Sequence, residues 1–446
     1  MVANEYQATD DRHFDLIVVG GGVAGLATAT FSARAGKRVL VLEQSRELGG
    51  RARTKQQDGF LFNQGPHALY RGGRGIEVLR ELGIEVHGKM PQVSGAFAIR
   101  EGRKYTFPAG MMSLLTTDLF GAAAKFEAAK FLASILKVDA KPLLRKTLRE
   151  WVDERISHQQ VRDFLFSAFR IATYTNAPNL ISAGAAIEQL QKAFAKNVLY
   201  LDGGWQTIVD GLVDAARGSE VQIETGVHVE HVCRNSAGSV IGVRLADGRV
   251  LDAPMIVVAS SPEVAAKIVE NGRESSLGRW SDEAIPVKAA CFDVALRYLP
   301  RPRAYYAFGI DRPHYLSVHS ASARLAPEGE ALVHMAKYLS PEDDDRPEAT
   351  ERELEGLLDL VQPGWRDALA CRRFLPDMIV MNAMVTARSG GTEGRPGPEV
   401  KDIPGLYVVG DWVGKEGLLV DASLASARSA AEHILQARNV GLAAVV

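Results

Sequence analysis

The sequence predicts an α/β protein: a mainly parallel sheet flanked by helices, with a second, discontinuous α+β domain inserted into it. Three observations carry this. A short apolar run, Leu16-Ile-Val-Val19, is followed by three glycines at fixed spacing and then by a helical pattern of small residues. Two further apolar runs of the same kind, residues 256–259 and 405–409, return far along the chain. The segments between them change period, first to apolar residues three and four apart and later to alternation. Apolar, β-branched runs of this length suit strands buried on both faces, as in parallel sheets.

Residues 16–19 are the first such strand. It ends at Gly20-x-Gly22-x-x-Gly25, and Val23, Ala24, Leu26, Ala27, Ala29, Phe31 and Ala33 continue as a helix that Gly36 and Lys37 stop. Residues 38–43 are a second apolar strand. In a βαβ unit of this kind Gly20 permits the tight turn, Gly22 lets a pyrophosphate approach the backbone, and Gly25 lets the helix pack close to the strand. The helix N-terminus at Val23 and Ala24 offers free amides and the positive end of its dipole. Glu43 lies eighteen residues beyond Gly25, at the tip of the second strand. A carboxylate there accepts hydrogen bonds from the ribose hydroxyls of an adenosine. The arrangement predicts a dinucleotide site over a purely structural glycine turn. Leu48-Gly-Gly-Arg-Ala-Arg-Thr54 follows directly. An NAD-binding unit has no need of this second Gly-Gly-Arg. Flavin adenine dinucleotide (FAD) does, because its isoalloxazine and ribityl parts run on past the pyrophosphate. Gly49 and Gly50 allow close backbone approach, and Arg51 offsets phosphate charge.

The stretch from Gly20 to Thr54 resembles the opening of the flavin-containing amine oxidase and phytoene desaturase superfamily. That group includes monoamine and polyamine oxidases, protoporphyrinogen oxidases, carotenoid desaturases and hydroxysqualene dehydroxylases. The resemblance is nearest in feel to carotenoid-desaturase-like and hydroxysqualene-dehydroxylase-like members. It implies a Rossmann-like FAD-binding domain (GR2-type) with a discontinuous α+β substrate-binding domain. On this layout residues 1–90, 199–274 and 376–446 form the FAD-binding domain. Residues 91–198 form the helical part of the substrate domain and residues 275–375 its sheet. Gly65, Pro66 and His67 match a turn beneath the flavin ring in the superfamily. His67 is therefore a candidate contact to flavin or substrate, with an ordinary turn histidine as the equal alternative. Val229 matches a residue whose backbone meets the adenine. Gly410-Asp411 after the last apolar strand, and the helix opening at Leu419-Val420-Asp421, resemble the superfamily's closing motif. There the acid holds the ribityl chain or pyrophosphate, and the helix N-terminus faces the pyrimidine edge of the flavin. Gly410, Asp411, Val420 and Ser426 match, while Ala422, Ser423 and Ala427 replace the usual Gly, Ala and Gly. No cysteine stands where some members attach the flavin, so FAD is expected to be non-covalent.

The composition is compatible with this. At 446 residues and 46% hydrophobic residues, the chain can build two or three domains. A net charge of −2 leaves no electrostatic footprint for nucleic acid. Cys233, Cys291 and Cys371 are odd in number and far apart, so no disulfide framework is expected and a reducing cytoplasm fits. Residues 1–13 read as a frayed polar tail, not a signal peptide.

Along the remaining chain, residues 74–87 predict a helix and a short strand at 84–86, and residues 97–107 a hairpin about Glu101-Gly102. Over 109–138, Leu115, Leu119, Ala122, Phe126, Ala129, Leu132 and Leu136 recur at three and four residues. They predict one continuous helix with a single apolar face, packed on its own domain or else facing lipid or a substrate tunnel. The resemblance implies the second, since related desaturases draw substrate from membranes, so peripheral membrane contact stays open. Residues 143–196 continue as helices, and 221–223, 227–232, 240–245 and 256–259 read as strands. Within 227–232, His228 points away from His231 and Cys233, and no metal site is expected. Strands are expected at 284–296, 305–318 and 332–338, and an acidic loop at 341–348 opens a helix that runs through 360. No strand feeds the glycine-rich loop 390–398, so it is not a second nucleotide fingerprint. Reduced flavin is therefore expected to pass electrons to dioxygen or a quinone, not to NAD(P).

Flavin oxidations remove a hydride equivalent and the cofactor carries the chemistry, so no side-chain acid or base is required. Lys288 is the best candidate for one. Its surroundings resemble the polyamine-oxidase stretch whose lysine holds a water at the flavin, the alternative being an ordinary strand lysine. Amine oxidases of the superfamily place an aromatic residue just before the closing helix to cage the amine, where this chain has Gly417-Leu-Leu. That favours dehydrogenation or desaturation of a hydrophobic, isoprenoid-like or lipid-like small molecule. An amine or amino-acid oxidase and a protoporphyrinogen-oxidase-like enzyme are the alternatives. A remote one is a non-enzymatic escort-type protein, a class that has lost parts of the nucleotide site kept here.

Overall fold

The computed structural model describes residues 13–443 apart from Gln92, Ser94 and residues 343–345, with side chains described as far as Gln436. Residues 1–12 of the expected tail and the centre of the acidic loop lie outside the described residues.

A five-stranded parallel sheet forms one body. Its order is Gln222–Thr225, Val39–Glu43, Leu16–Val19, Ile256–Val258 and Leu406–Val408. The middle strands are apolar at every position but Glu43, because both faces are covered. Leu16, Val18, Val39, Val41, Val257 and Tyr407 pack under the helices Val23–Arg34 and Leu419–Ala443. Ile17, Leu40, Leu42, Ile256 and Val258 pack on the other face under a three-stranded antiparallel sheet that includes Val229–Arg234. Burying each such side chain contributes about 1.5–3 kcal/mol.

A seven-stranded sheet forms the second body, in the order Leu369–Met381, Val287–Leu296, Ala331–Leu339, His314–Val318, Tyr306–Gly309, Phe97–Arg100 and Arg103–Thr106. Alternation divides its side chains. Phe292, Val294, Leu296, Val333 and Met335 face the helix Pro347–Val361. Cys291, Ala295, Leu332, Ala336 and Tyr338 face Phe60 and Phe62, on the strand that leads into the Gly65 turn. A separate cluster of helices, including Gln159–Thr173 and Ala183–Lys196, builds its own core around Trp151, Phe164 and Phe169.

The structure corrects three expectations. The continuous helix over 109–138 is two helices, Met111–Thr116 and Ala122–Ser134, with a short 3-10 turn Ile135–Lys137. Thr117 breaks it: its hydroxyl donates to the Thr106 carbonyl at 2.7 Å and accepts the Leu119 amide at 3.2 Å, diverting the backbone from the helical ladder. The expected stripe is split: Leu119 is buried and Ala129 and Leu132 pack against the helical core. Leu114, Ala124, Ala128, Phe131 and Ile135 are buried, whereas Leu115, Phe126 and Leu136 are exposed. Apolar residues lie on both sides of these helices, so periodicity alone does not separate the inner from the outer ones. The strand expected at 84–86 is irregular chain. The pairing there is made by Gly88–Lys89 against Tyr200 and Leu201. The run 305–318 is two antiparallel strands that turn through Arg312, with Ser317 opposite Tyr306. The edge strand Leu369–Met381 had no sequence expectation, since its charged residues interrupt any apolar pattern.

Candidate functional site

The first glycine motif is tightly built. Gly20 has φ +114°, and a Cβ there would lie 2.6 Å from the Ala259 carbonyl oxygen. A Cβ on Gly25 would lie 2.0 Å from the Gly20 carbonyl oxygen, so only glycine lets Val23–Arg34 sit this close to the strand before it. Gly22 differs, because a Cβ there would meet nothing within 4 Å. The protein's own atoms do not require a glycine at that point, and the space before it is open. Val23 and Ala24 form the first turn beyond Gly22, whose backbone is extended at φ −79°.

The second glycine motif folds back on the first. Gly22 and Gly49 pair as a bridge, and the Gly49 amide donates to the Gly21 carbonyl at 2.8 Å. Glu43 is buried at the end of its strand. Its Oε2 accepts the Gly21 amide at 2.7 Å and its Oε1 the Ser45 amide at 2.8 Å. A carboxylate offers about four lone-pair directions, so both oxygens retain capacity for ribose hydroxyls. The Val227 amide bonds the Glu43 carbonyl at 3.0 Å, which brings the start of the strand holding the buried Val229 to this tip. The cradle therefore fits an adenosine and its pyrophosphate.

The closing motif comes in from the far end of the chain. Asp411 is buried, and its Oδ2 accepts from Arg51 at 2.8 Å. Asn382 adds donation from its backbone amide and, at 3.0 Å, from its side chain to Oδ1. Gly410 is held by Ser426, whose hydroxyl accepts the Gly410 amide at 3.0 Å. Arg395, which sequence reasoning left in a plain loop, donates to the carbonyls of Asp411 at 3.0 Å and Gly417 at 2.7 Å. Burial pushes its guanidinium down to about 10, against the pull of Asp411 and Glu188. Leu419 enters the last helix at φ +58°, a left-handed conformation that a leucine adopts only under constraint. Val420 follows it, packed against the cluster of Leu69, Trp205 and Leu424.

The turn at 65–67 lies where the two bodies meet. Gly65 has φ +77°, and a Cβ there would lie 2.8 Å from both Cys291 Sγ and the Met378 methyl. The buried Pro66 carbonyl accepts the Tyr174 hydroxyl at 2.9 Å. His67 Nδ1 lies 3.0 Å from the Gly65 carbonyl, and the ring packs edge-on to Trp205. Burial pushes the His67 imidazole down to about 4, with a contribution from nearby positive groups including Arg51, so it is neutral near pH 7. The structure thus gathers His67 with Arg51 and Asp411. Lys288 is not gathered with them. It alternates with Ala289 and Cys291 onto the opposite face of the sheet and pairs with Asp377 at 2.9 Å in a partly exposed position. Among the described residues no group of three or more His, Cys, Asp or Glu side chains could hold a metal ion.

Two glycine motifs, a buried ribose acid and a returning acid-and-helix motif around one open cradle define a flavin-dependent oxidoreductase. Residues 23–435 match the family of flavin containing amine oxidoreductases, and the chain belongs to that family. A carotenoid 3,4-desaturase of Haloarcula japonica is 23% identical over 95% of this chain and 98% of its own length. A phytoene desaturase of Cercospora nicotianae is 27% identical, over 54% of this chain and 44% of its own length. The crystal structure of an oxidoreductase from Methanosarcina mazei shares the fold, with a TM-score of 0.73 and 21% identity over 94% of this chain and 99% of that one.

Proposed function

We propose that this enzyme binds FAD non-covalently and dehydrogenates or desaturates a small hydrophobic molecule, isoprenoid-like or lipid-like, next to the flavin. FAD, when bound, supplies the two-electron acceptor. Gly20, Gly22, Val23, Ala24 and Gly25 would take the pyrophosphate, and Glu43 and Val229 the adenosine. Arg51 would offset the phosphate charge, Asp411 would hold the ribityl chain or pyrophosphate, and Gly49, Gly50, Gly410 and Val420 would lie along the ribityl and ring portions, with Gly65, Pro66 and His67 beneath the ring. Residues 1–90, 199–274 and 376–446 would make up the FAD-binding domain, and residues 91–198 and 275–375 the substrate domain.

The observation that carries the substrate class is the wall beside the last helix. Leu418 is buried and Leu419 packs with it against the helical core, so the chain offers methyl groups where an amine would need a cation-binding face. An ammonium has little there to offset its desolvation, whereas a hydrocarbon gains about 25 cal/mol per Å² of apolar surface buried. The desaturase relatives support the same class. With its imidazole held down to about 4, His67 is a weak base and adds no positive charge near the ring.

The described residues contain no helix long and apolar enough to cross a membrane. Met111, Met112, Leu115, Phe126 and Leu136 are nonetheless exposed along one stretch of helices. This supports peripheral contact with a membrane that stores such a substrate. Dioxygen or a quinone would reoxidise the flavin.

The tests are anaerobic bleaching of the bound flavin in native protein with a panel of isoprenoids, fatty acyl compounds, porphyrinogens, amines and amino acids, and, on a separate sample, acid precipitation, which should release the FAD. Bleaching by apolar compounds is expected. Fast bleaching by an amine alone would move the enzyme to the amine-oxidase alternative, and flavin retained in the acid pellet would contradict non-covalent binding.

A further inference from the structure

The inner face of the seven-stranded sheet is not uniformly apolar. Asp293, between Cys291 and Ala295, and His334, between Leu332 and Ala336 on the neighbouring strand, both point to the side where the Gly65 turn packs. Both are fully buried. His334 Nδ1 lies 2.6 Å from Asp293 Oδ1, and Arg373 pairs with Asp293 Oδ2 and with the Asn63 carbonyl. His319, also buried, stacks on Tyr200 at 3.9 Å and meets His334 edge-on at 4.7 Å.

The hydrogen bonding is incomplete in a specific way. Burial raises the Asp293 carboxyl, but His334 and Arg373 outweigh it and hold the group below the usual range. Asp293 is therefore a carboxylate that can only accept, so His334 Nδ1 carries a hydrogen toward it and Nε2 is the nitrogen left over. Among the described residues nothing bonds that Nε2, and nothing bonds either nitrogen of His319. Burial holds the His319 ring well below its ordinary range, so it is neutral and presents one N–H and one lone pair. Buried polar atoms are almost always partnered, and here three lie side by side in two rings. His67 is an electrostatic neighbour of both rings, which sets the group next to the turn that reaches Arg51.

We propose that His334 and His319, oriented by Asp293 and Arg373, form a polar subsite that takes a hydroxyl group carried on the hydrophobic substrate. A hydroxyl fits both rings at once. It can donate its hydrogen to a ring nitrogen that carries a lone pair and accept with its oxygen from one that carries a hydrogen. A carbonyl can only accept and an ammonium can only donate, so neither serves a donor and an acceptor together. This subsite rests on the reading of the protein as a flavin enzyme for apolar molecules and refines it. The substrate is an amphipathic alcohol, not a bare hydrocarbon, held by its oxygen on the sheet while its chain lies against the aliphatic wall.

The test uses flavin-loaded protein and two probes of one carbon skeleton, farnesol and the hydrocarbon farnesene. Binding is read from the perturbed flavin absorption band and, separately, from tryptophan quenching. The protein should bind farnesol at least about tenfold more tightly than farnesene, one buried hydrogen bond being worth about that factor. His334→Leu should abolish the preference and leave farnesene affinity within about twofold. His319→Phe removes no hydrogen bond of the protein and can keep the stack on Tyr200. It should lower the preference even where His334→Leu fails to fold. Equal binding of the two probes overturns the subsite and leaves the apolar reading standing, with ordered water then serving these nitrogens. Binding of neither probe by flavin-loaded protein overturns the substrate class and the subsite together. In a preparation without flavin the functional reading falls, and the quenching measurement still decides the subsite.

Discussion

Replacing Gly22 by alanine should separate ligand binding from folding, because the structure gives its methyl group no protein neighbour. Gly22 sits at φ −79° and ψ 179°, a conformation open to any residue, and a Cβ there meets nothing within 4 Å. The loss of a glycine at the helix N-cap costs only a few tenths of a kcal/mol to about 1 kcal/mol. The same methyl would stand in the space where a pyrophosphate approaches the backbone. Displacing one charge-assisted N–H to phosphate bond loses roughly 1.5–3 kcal/mol, or about tenfold to 150-fold in affinity. Gly25→Ala is the contrast, since its Cβ would lie 2.0 Å from the Gly20 carbonyl oxygen and 3.1 Å from the Ala259 methyl. That helix must move, at about 1–3 kcal/mol or more of fold stability. FAD affinity is measured by the change in flavin fluorescence on binding, and stability by urea denaturation of the deflavo protein. Gly22→Ala should keep the denaturation midpoint and lose FAD affinity, and Gly25→Ala should lose both. A Gly22→Ala protein that binds FAD as tightly as wild type would refute the pyrophosphate assignment.

Burial raises the Asp421 carboxyl to about 6, an effect the Gly75 amide at 2.9 Å only partly offsets, and its Oδ2 has no partner among the described residues. A carboxyl raised on folding costs nothing below its unfolded value and its full penalty above the folded one. Asp421 should therefore lower stability by an order of 3 kcal/mol as pH rises from about 4 to 6. Asp421→Asn, which can still accept from Gly75, should flatten urea midpoints over that window and raise them at pH 8, and an unchanged slope would contradict this. Met112→Glu combined with Phe126→Glu changes two side chains that are each 74% exposed. It should leave thermal melting unchanged and cut co-sedimentation with phospholipid vesicles severalfold, and undiminished co-sedimentation would remove this surface from any membrane contact.

Much of the nucleotide half was legible because its signals are local. Val39 to Glu43 reads as a buried strand from its own residues, and the glycine spacing sets the turn and the helix approach within a few residues. Resemblance then supplied the distant partners that spacing could not, including Asp411 and Val420. The substrate half was less legible. The two apolar stripes between 111 and 137 are equivalent to a periodicity count, and only the neighbouring helices determine that Leu114, Phe131 and Ile135 go inside. Lys288 shows the same limit, since a lysine on a strand can face either side and the register turned it away from the Gly65 turn.

By itself, the sequence determined the buried strands and tight glycine turns of the nucleotide half and the acid at the tip of the second strand. These depend on backbone sterics and on contacts between near neighbours. Only the tertiary structure decided which distant groups meet. Arg51 reaches Asp411, Arg395 braces the carbonyls of Asp411 and Gly417, and His319, His334 and Asp293 converge under the turn at His67. No local pattern marks such pairs. They come together through strand order and register, which are set by how whole faces bury one another.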